Sequence, residues 1–437
     1  MIHAIADNDK PFVIIIGLNS LQGLQAARIF AARGIPVLAM TDDPGHFCCR
    51  TNVCREIIVS ETRGPGFIDE LERRAVDFSQ PPVLVPCQDE SVLQLSRQRQ
   101  RLEKKYRFLL PPSEEVEALM DKTRFYRLAA AHGVVVPQSL MVHDQDEFER
   151  AAQSIPFPCI VKPSGRSPLW SASTIVKAFK VESEEELRHL YARCRHWCPA
   201  LVVQEWIPGS DAELFSCNVY YNAAGEPLVT FVARKLRQWL PEVGESSLGQ
   251  ECRNDEVLHA TLRFFQEIGF NGLGYLEFKR DRRNGRHVIM EANIGRPTGR
   301  SAIAEAGGVE LLQTMYCDLV GLPLPLARQQ QYTKVKWIHL TRDCASAFHY
   351  WRNGALTLPG WWRSLQGRKA YAVFSWRDPA PFIGDLGRAL RLLLSPRERQ
   401  RRNNREEVKK PELLKSTALH GIPALFPGTG EERDGDK

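Results

Sequence analysis

The sequence predicts an α/β protein built from two or three lobes. Its opening alternates between strand and helix patterns, with an apolar run at Pro11–Gly17, a helical repeat at Leu21–Arg33 that ends at Gly34, and a second apolar run at Val37–Met40. This order predicts a doubly wound unit around a parallel sheet. The chain has 437 residues, of which 43% are hydrophobic. It is therefore too long for one small core and is expected to divide into lobes that share an interface.

The same alternation continues to a break at Pro111-Pro112, after which Ser113 is suited to cap one helix and Asp121 begins another. The two helix starts are followed by a mixture of hairpins and helices, which is typical of α+β lobes. The expected elements beyond the opening unit are strand 56–60, helix 66–77, strand 83–86, helix 89–103, helices from 113 and 121, strands 159–162 and 174–181, helix 183–197, strand 201–204, a hairpin of 215–221 and 228–234, helix 255–268, a hairpin within 273–293, helix 302–319 and short strands within 331–380.

Four segments follow from these elements, and the last of them is charged, poor in apolar residues and predicted to be disordered. A stretch of apolar residues at helical spacing beside arginines, 382–402, is expected to pack on the C-terminal lobe; the less favoured alternative is contact with an anionic membrane surface. The segments are a Rossmann-like domain at 1–112, a second domain at 113–325 with lobes at about 113–203 and 204–325, an extension at 326–395 packed on that domain, and the tail 396–437.

Composition excludes several classes of protein. The eleven cysteines are odd in number and include no CxxC pair, so reduced thiols in a cytoplasmic protein are expected. His46, Cys48, Cys49 and Cys54 match no zinc spacing. The net charge is +6, of which +5 comes from residues 385–410, so a general nucleic-acid binder is not expected. The apolar run near the start is too short to span a bilayer.

A small-residue turn lies between the first strand and the first helix. Its sequence, Gly17-Leu-Asn-Ser-Leu-Gln-Gly23, suits either a backbone cradle for a phosphate or carboxylate at a helix N-terminus or a plain tight turn. Asn19 occupies the place of the second glycine of a dinucleotide-binding motif, which argues against a dinucleotide cofactor.

Two lysines and one strand end are candidates for nucleotide binding. Lys162 leaves an apolar strand into a Pro-Ser-Gly turn, and Lys122 lies upstream, so both are suited to contact phosphate oxygens. The strand 202–205 runs into Pro208-Gly209. Such a hinge can present a donor, an acceptor and an apolar side chain to an adenine ring. Glu213 then follows at a distance suited to the ribose hydroxyls.

A predicted β-hairpin carries the candidate metal site. Glu277 and Glu291 lie among apolar residues on its two strands, where unpaired charge is costly and Mg²⁺ would offset that cost. A three-residue loop at 283–285, with Gly285 left-handed, places Glu277 opposite Glu291 on one face, and Asn293 shares that face. A two-residue turn would put the carboxylates on opposite faces. The three-residue loop is the prediction.

Several cations lie near these carboxylates in the sequence. Arg234, Lys235 and Arg237 end one strand, and Arg296 and Arg300 follow Asn293. Cations that converge on two carboxylates and a metal are typical of phosphoryl transfer.

Taken in order, these motifs resemble the ATP-grasp superfamily, and within it the stand-alone carboxylate–amine ligases that include D-aspartate ligase-like enzymes. The resemblance covers about residues 11–385 and includes Cys87–Glu90, Gly133–Pro137 and Phe374–Pro379. It implies an ATP-grasp fold with an N-terminal Rossmann-like lobe and ATP held between the two later lobes. For the nucleotide, the implied roles are phosphate contacts by Lys122 and Lys162, cofactor binding by Gln204, adenine contacts by Glu205 and Ile207, and a ribose contact by Glu213. For the metal and the reaction, they are Mg²⁺ or Mn²⁺ ligation by Glu277, Glu291 and Asn293, with two ions a possibility, and contacts of Arg234 and Arg296 with the γ-phosphate or intermediate.

The chain departs from the family pattern at two places. The segment after Lys162 lacks the glycine-dense phosphate lid, and the arginine after Asn293 comes one place later than usual, so Arg300 is the alternative to Arg296. The resemblance implies a ligase that converts a carboxylate into an acyl phosphate, releases ADP and joins the acyl group to an amine, with a thiol or hydroxyl as alternative acceptors. The rival functions are a non-catalytic ATP-binding protein and a nucleotide-dependent oxidoreductase or epimerase. A homodimer is compatible with the resemblance.

Overall fold

The computed structural model describes residues 10–165, 167–174, 178–239, 241–242 and 244–394, with the side chains of 393 and 394 left out. The N-terminal lobe is the predicted doubly wound unit, a four-stranded parallel sheet in the order β3-β2-β1-β4. Its strands are β1 (Val13–Ile16), β2 (Val37–Thr41), β3 (Glu56–Val59) and β4 (Val83–Pro86), and its helices are α1 (Leu21–Ala31), α2 (Gly66–Arg74), α3 (Asp89–Arg97) and α4 (Arg99–Leu102), with 3-10 turns at Phe47–Arg50 and Ala75–Asp77.

The central lobe holds a small antiparallel sheet in the order β5-β8-β6-β7. Asp121 caps the second of its helices as expected, since its carboxylate accepts hydrogen bonds from the backbone N–H groups of Thr123 and Arg124. The elements are α5 (Ser113–Met120), α6 (Lys122–Ala131), β5 (Ser139–Val142), α7 (Gln145–Ser154), β6 (Cys159–Pro163), α8 (Pro168–Ser173), β7 (Phe179–Val181), α9 (Glu184–Cys194) and β8 (Leu201–Glu205).

The C-terminal lobe is built on a seven-stranded sheet in the order β13-β12-β9-β10-β11-β14-β15. This sheet runs on across residue 325, so that the last two strands belong to the predicted extension. The elements are β9 (Leu214–Tyr221), β10 (Pro227–Trp239), β11 (Glu245–Glu251), α10 (Asp255–Glu267), β12 (Gly272–Arg280), β13 (His287–Ile294), α11 (Gly299–Ala306), α12 (Leu311–Val320), β14 (Lys336–Ile338), α13 (Leu340–Arg352), α14 (Leu358–Leu365), β15 (Lys369–Tyr371) and α15 (Ala380–Leu394), with a 3-10 turn at Asp211–Glu213.

Several predicted elements were wrong in detail. The helices expected at 89–103 and 302–319 are each two helices, and the region 331–380 contains α13 and α14 besides two short strands. The helix in 382–402 is α15, and it packs on the 3-10 turn of the N-terminal lobe, where Gly384 lies against Phe47, as well as on α13. The predicted disorder of 396–437 concerns residues outside those that the structure describes.

The N-terminal and C-terminal lobes share one apolar core. Val13, Phe30, Phe231 and Ile303 belong to the same buried cluster, and the Tyr316 hydroxyl donates to the Pro11 carbonyl at 2.7 Å. The sheet of the central lobe and the helices α7 and α9 instead have a cluster of their own around Phe148 and Tyr191, whereas α5 and α6 join a core shared with the other two lobes. The open space of the molecule therefore lies between the central lobe and the joined pair. No helix among the described residues is both long and apolar enough to cross a membrane.

The turn before α1 depends on a glycine at position 23. A Cβ there would lie 2.5 Å from the Gly17 carbonyl oxygen and 2.9 Å from the Leu18 Cα, both of which are backbone atoms that cannot move aside. Gly23→Ala is expected to destabilise the protein by about 1–3 kcal/mol, measured by urea unfolding. Gly387→Ala is the control, because a Cβ there meets nothing within 4 Å and alanine favours the helix; equal effects of the two changes would contradict the packing argument.

Candidate functional site

A cavity of about 680 Å³ lies where the three sheets meet. Its wall is formed by the turn before α1, the ends of β6 and β8, the strands β10, β12 and β13, the start of α11 and parts of the extension. Nine of the eleven predicted site residues line it. They are Lys122, Lys162, Gln204, Glu205, Ile207, Glu277, Glu291, Asn293 and Arg296.

The hairpin β12–β13 pairs Glu277 directly with Glu291, as predicted, and Gly285 is left-handed with φ +76°. The predicted loop is wrong, however. Arg280 pairs with His287, whereas the predicted three-residue loop would pair it with residue 288. The loop is therefore longer than predicted, and the strand pairing next to it is shifted by one residue from the predicted register. A β-bulge at Met290 restores the predicted pairing beyond it. The carboxylates face one cavity because the bulge offsets the longer loop.

Glu277 is the most enclosed acid of the cavity, with 6% of its surface exposed. Its carboxylate accepts hydrogen bonds from the Lys235 ammonium at 3.1 Å and the Tyr275 hydroxyl at 2.6 Å. Burial alone would raise the pKa of Glu277, but Lys235, Tyr275 and Arg300 outweigh burial and hold it below its usual value. Glu277 is therefore an anion in the folded protein.

Glu291 and Asn293 lie side by side on β13. The Asn293 amide donates to the Glu291 carboxylate at 3.2 Å, and its carbonyl oxygen accepts a hydrogen bond from the Arg296 guanidinium. Arg296 also binds Asp89 of α3. The side-chain oxygen of Asn293 is therefore already engaged by Arg296, and any ligand in the cavity would have to share it. Glu291, in contrast, is exposed to the cavity.

Lys162 stands across the cavity from the two carboxylates. Its ammonium donates to the Gln204 side-chain oxygen at 2.7 Å and lies 5.7 Å from the centre of the Tyr126 ring. Burial and the charge of Lys122 lower the pKa of Lys162 to about 7, and Glu291 opposes that shift. Lys162 is half-buried, and a bound anion beside it would favour its charged form.

The end of β8 forms an apolar slot beside Glu205. The Glu205 carboxylate accepts hydrogen bonds from the Arg283 guanidinium and the Gln138 backbone N–H. The Trp206 ring is flanked by the ammonium groups of Lys279 at 4.5 Å and Lys180 at 4.9 Å. A planar ring would fit between the apolar side chains of the slot, which come from Ile160, Ala178, Trp206, Ile207, Leu214 and Met290.

Two predicted residues do not line the cavity. Glu213 turns back on its own loop, where its carboxylate accepts from the Ser210 backbone N–H at 2.6 Å and pairs with Arg282 at 3.3 Å. Arg234 lies on the other face of the large sheet, since its guanidinium donates to Gln250 at 3.3 Å.

The sheet register shows why Lys235 replaces Arg234 at the site. Glu277 pairs with Ser216, and Ser216 pairs with Ala233, so these three positions share a face. Side chains alternate along a strand, and Lys235 follows Ala233 by two residues. Strand alternation together with the pairing of three strands could have identified Lys235; the sequence of one strand could not.

The other end of the cavity combines Arg300, which the sequence offered as the alternative to Arg296, with Trp337, His339, Arg342 and Arg388 of the extension, which the sequence did not single out. Arg300 is buried and donates to Ser246 at 2.9 Å and Ser216 at 3.3 Å. The indole N–H of Trp337 has no hydrogen-bond partner among the described residues, although Trp337 is only 3% exposed. Hydrogen-bond donors and cations dominate this end, which the extension and the N-terminal lobe complete with Asn19, Ser20, His46, His339, Arg342 and Arg388.

Buried His339 contributes no charge to this end near neutral pH. Burial and the nearby Arg342 lower the pKa of His339 to about 4, against the opposing effect of Asp385. Arg342 pairs with Glu245 at 2.9 Å, and Arg388 pairs with Asp385 at 3.2 Å. The cations of this end near neutral pH are therefore the arginines, and these acids partly neutralise Arg342 and Arg388.

The chain is similar to known ligases over part of its length. It is 24% identical over 263 residues to the D-aspartate ligase of Enterococcus faecium (strain Aus0004), covering 56% of this chain and 61% of that protein. It is 23% identical over 200 residues to a D-alanine--D-alanine ligase of Neisseria meningitidis serogroup A, covering 44% of this chain and 62% of that protein. The chain thus spans about three fifths of these relatives. No family model matches it.

Solved structures resemble the fold over about three quarters of this chain. N5-carboxyaminoimidazole synthetase from Staphylococcus aureus complexed with ADP has a TM-score of 0.57 at 17% identity, over 72% of this chain and 78% of that one. The biotin carboxylase domain of the Hydrogenobacter thermophilus 2-oxoglutarate carboxylase, in complex with MgADP, has a TM-score of 0.57 at 16% identity, over 73% and 71% of the two chains. These likenesses show the fold.

Proposed function

We propose that this chain, which has the ATP-grasp fold, is an ADP-forming ligase that activates a carboxylate with ATP and joins it to an amine. The observation that carries the proposal is the cavity wall, on which two facing carboxylates, the half-buried Lys162 and an apolar slot surround one space. The relatives named above, D-aspartate ligase and D-alanine--D-alanine ligase, support the same class of reaction.

The nucleotide is assigned to the end of the cavity next to the central lobe. Adenine occupies the slot of Trp206 and Ile207, with Glu205 at its edge. The phosphates extend toward Lys162 on the strand β6 and Lys122 on the helix α6, which supply positive charge. We assign no ribose contact to Glu213, because its carboxylate is engaged in its own loop.

Mg²⁺ fits the pair Glu277 and Glu291. Both are oxygen donors, they lie on paired strands, and each carboxylate has lone pairs beyond those used by Lys235, Tyr275 and Asn293. When bound, the ion neutralises charge on the transferring phosphoryl group. Asn293 is a weaker third ligand since Arg296 shares its oxygen; the number of ions is not assigned.

The reaction divides into two displacements. A carboxylate oxygen of the acid attacks the γ-phosphorus, the bond to the β,γ-bridging oxygen breaks, and ADP leaves with that electron pair. The amine nitrogen then attacks the acyl carbon, the bond from that carbon to the phosphate oxygen breaks, and the amine gives up a proton. Lys162, Lys235 and Arg300 stabilise the negative charge on the phosphoryl group and on the acyl-phosphate intermediate. Arg300 is preferred to Arg296 for this role because Asp89 already neutralises Arg296.

The acid substrate is assigned to the donor-rich end of the cavity. Trp337→Phe keeps the ring and removes the unpartnered N–H, so the KM for the acid should rise about tenfold with little change in kcat or in the KM for ATP. Trp362→Phe is the control, because Trp362 lies exposed on α14. An unchanged KM for the acid, or an equal rise in the KM for ATP, would remove Trp337 from the acid subsite.

The proposed function is tested by ADP release from the purified full chain. ATP, MgCl₂ and a panel of amino acids and small acids are supplied with and without an amine, and hydroxylamine is added to trap an acyl phosphate as a hydroxamate. ADP release that depends on both an acid and Mg²⁺ supports the ligase. Tight ATP binding without turnover by any pair would favour a non-catalytic ATP-binding protein, and binding of NAD(H) instead of ATP would favour an oxidoreductase.

A further inference from the structure

The last helix of the described chain has an apolar face that none of the described residues covers. Ile383, Leu386 and Leu390 follow one another at helical spacing on α15, and all three are exposed, Ile383 by 63%. The opposite face of α15 carries Asp385 and Gly384, which lie against the 3-10 turn of the N-terminal lobe and against α13. The helix is thus amphipathic and held on the protein by its polar side.

A cluster of aromatic rings continues this apolar face beyond the start of α15. Phe374 contacts Tyr371, Trp376 and Phe382, with ring centres 5.4, 4.8 and 5.2 Å apart. Trp376 is 86% exposed. A tryptophan ring with an apolar body and a polar N–H suits the boundary between water and lipid.

The charge of this region has one sign. Residues 371–394 contain two acids, Asp378 and Asp385, and both are buried, with 2% and 1% exposed. Asp378 pairs with Arg28 at 2.9 Å, and Asp385 accepts a hydrogen bond from Thr341 at 2.6 Å. Arg377 and Arg391 are exposed, whereas Arg388 lies on the inner side of α15, where it pairs with Asp385 at 3.2 Å. Among the described residues of this region, the exposed apolar face therefore has two cations beside it and no exposed acid.

We propose that the outer face of α15 (Ile383, Leu386, Leu390) and the ring cluster (Tyr371, Phe374, Trp376, Phe382) dock the protein on an anionic lipid bilayer. An amphipathic helix with basic residues beside its apolar face binds in the plane of such a surface. A 15-residue helix is about 22 Å long and is shorter than the apolar core of a bilayer, so it lies on the membrane. The chain after Leu394 reinforces the attraction, since residues 395–410 hold seven Lys and Arg against three acids.

Docking would also set the orientation of the catalytic cavity. Arg388 lies on α15 and lines the acid end of that cavity. This inference about binding is independent of the ligase reaction.

The test is cosedimentation of the full chain with sucrose-loaded vesicles of phosphatidylcholine alone or with 30 mol% phosphatidylserine. Wild type is expected to pellet with the anionic vesicles at 50 mM NaCl, at least about tenfold more than with neutral ones, and to be released in part at 500 mM NaCl. Leu386→Asp and Trp376→Ser should each weaken binding to anionic vesicles about tenfold or more. Leu326→Asp is the matched control, because Leu326 is 99% exposed elsewhere and the change adds the same charge.

Three outcomes would overturn the proposal. Undiminished binding by Leu386→Asp and Trp376→Ser would place lipid binding in the basic segment after Leu394. If wild type does not bind anionic vesicles, the exposed face of α15 is not a lipid-binding surface. A dimer in light scattering that Leu386→Asp dissociates, with no vesicle binding, would show that a second copy covers the face. Thermal melts and ADP release should match wild type in all three variants, which excludes misfolding as the cause.

Discussion

Glu291→Gln is expected to lower Mg²⁺-dependent ADP release by roughly a hundredfold to a thousandfold, the range found when a group that stabilises transition-state charge is lost. Glutamine keeps the size of the side chain but cannot match the charge of a divalent ion. Glu291 is exposed to the cavity, so its charge can be removed without leaving a buried partner unpaired. The measurement is the initial rate over a range of MgCl₂ concentrations, where the variant should also require more Mg²⁺.

The neighbouring acid is a poorer choice for the same test. Glu277→Gln would leave the Lys235 ammonium buried without its anion, and a loss of activity would then combine with a loss of stability. Glu103→Gln is the matched control, because Glu103 is exposed in the N-terminal lobe. Full turnover of Glu291→Gln at low MgCl₂ would refute the metal assignment.

Lys162→Met is expected to raise the KM for ATP about a hundredfold, since a hydrogen-bonded charge pair of this kind contributes a few kcal/mol. Because the pKa of Lys162 is about 7, a second measurement can test its role, namely proton uptake on ATP binding. At pH 8 the free protein carries Lys162 mostly neutral, and a bound triphosphate favours the charged form. ATP binding should therefore take up close to one proton at pH 8, as measured by calorimetry in buffers of different ionisation enthalpy.

The sign of the pH dependence follows from the same pKa. Affinity for ATP is full below pH 7, where Lys162 is already charged, and falls by up to about tenfold per unit as pH rises above 7. Lys162→Met should abolish both the proton uptake and this slope. Lys104→Met, at an exposed lysine, should retain them. Proton uptake that persists in Lys162→Met would assign it to another group.

At the proposed metal site, the sequence of the hairpin predicted one feature correctly and another wrongly. The predicted pairing of Glu277 with Glu291 was confirmed, but the loop that led to it was wrong. The bulge at Met290 compensates, and the Tyr126 hydroxyl, which comes from α6, donates to the Met290 carbonyl at 2.8 Å. A bulge supported by a side chain 164 positions away in the chain leaves no local mark in the sequence.

The choice of cation at the site could not be predicted from the sequence of one strand. Arg234 and Lys235 are neighbours with the same kind of charge, and the choice between them depends on which face of β10 meets Glu277. That face is set by the pairing of β10 with β9 and of β9 with β12. The predicted ribose contact of Glu213 depended on the course of a short loop. In the structure, that loop directs the Glu213 carboxylate back to its own backbone, where it accepts a hydrogen bond from the Ser210 N–H.

The amino-acid sequence by itself determined the doubly wound opening lobe, the order of the later strands, and most of the residues that meet at the cavity. Those features depend on apolar periodicity, capping residues and turn residues, which act over a few positions. Only the tertiary structure decided the donor-rich end of the cavity, where Trp337, Arg342 and Arg388 of the extension come together. Their meeting depends on packing between segments more than 300 residues apart, such as Arg28 with Asp378, and pairing at that separation is set by the complementarity of whole surfaces.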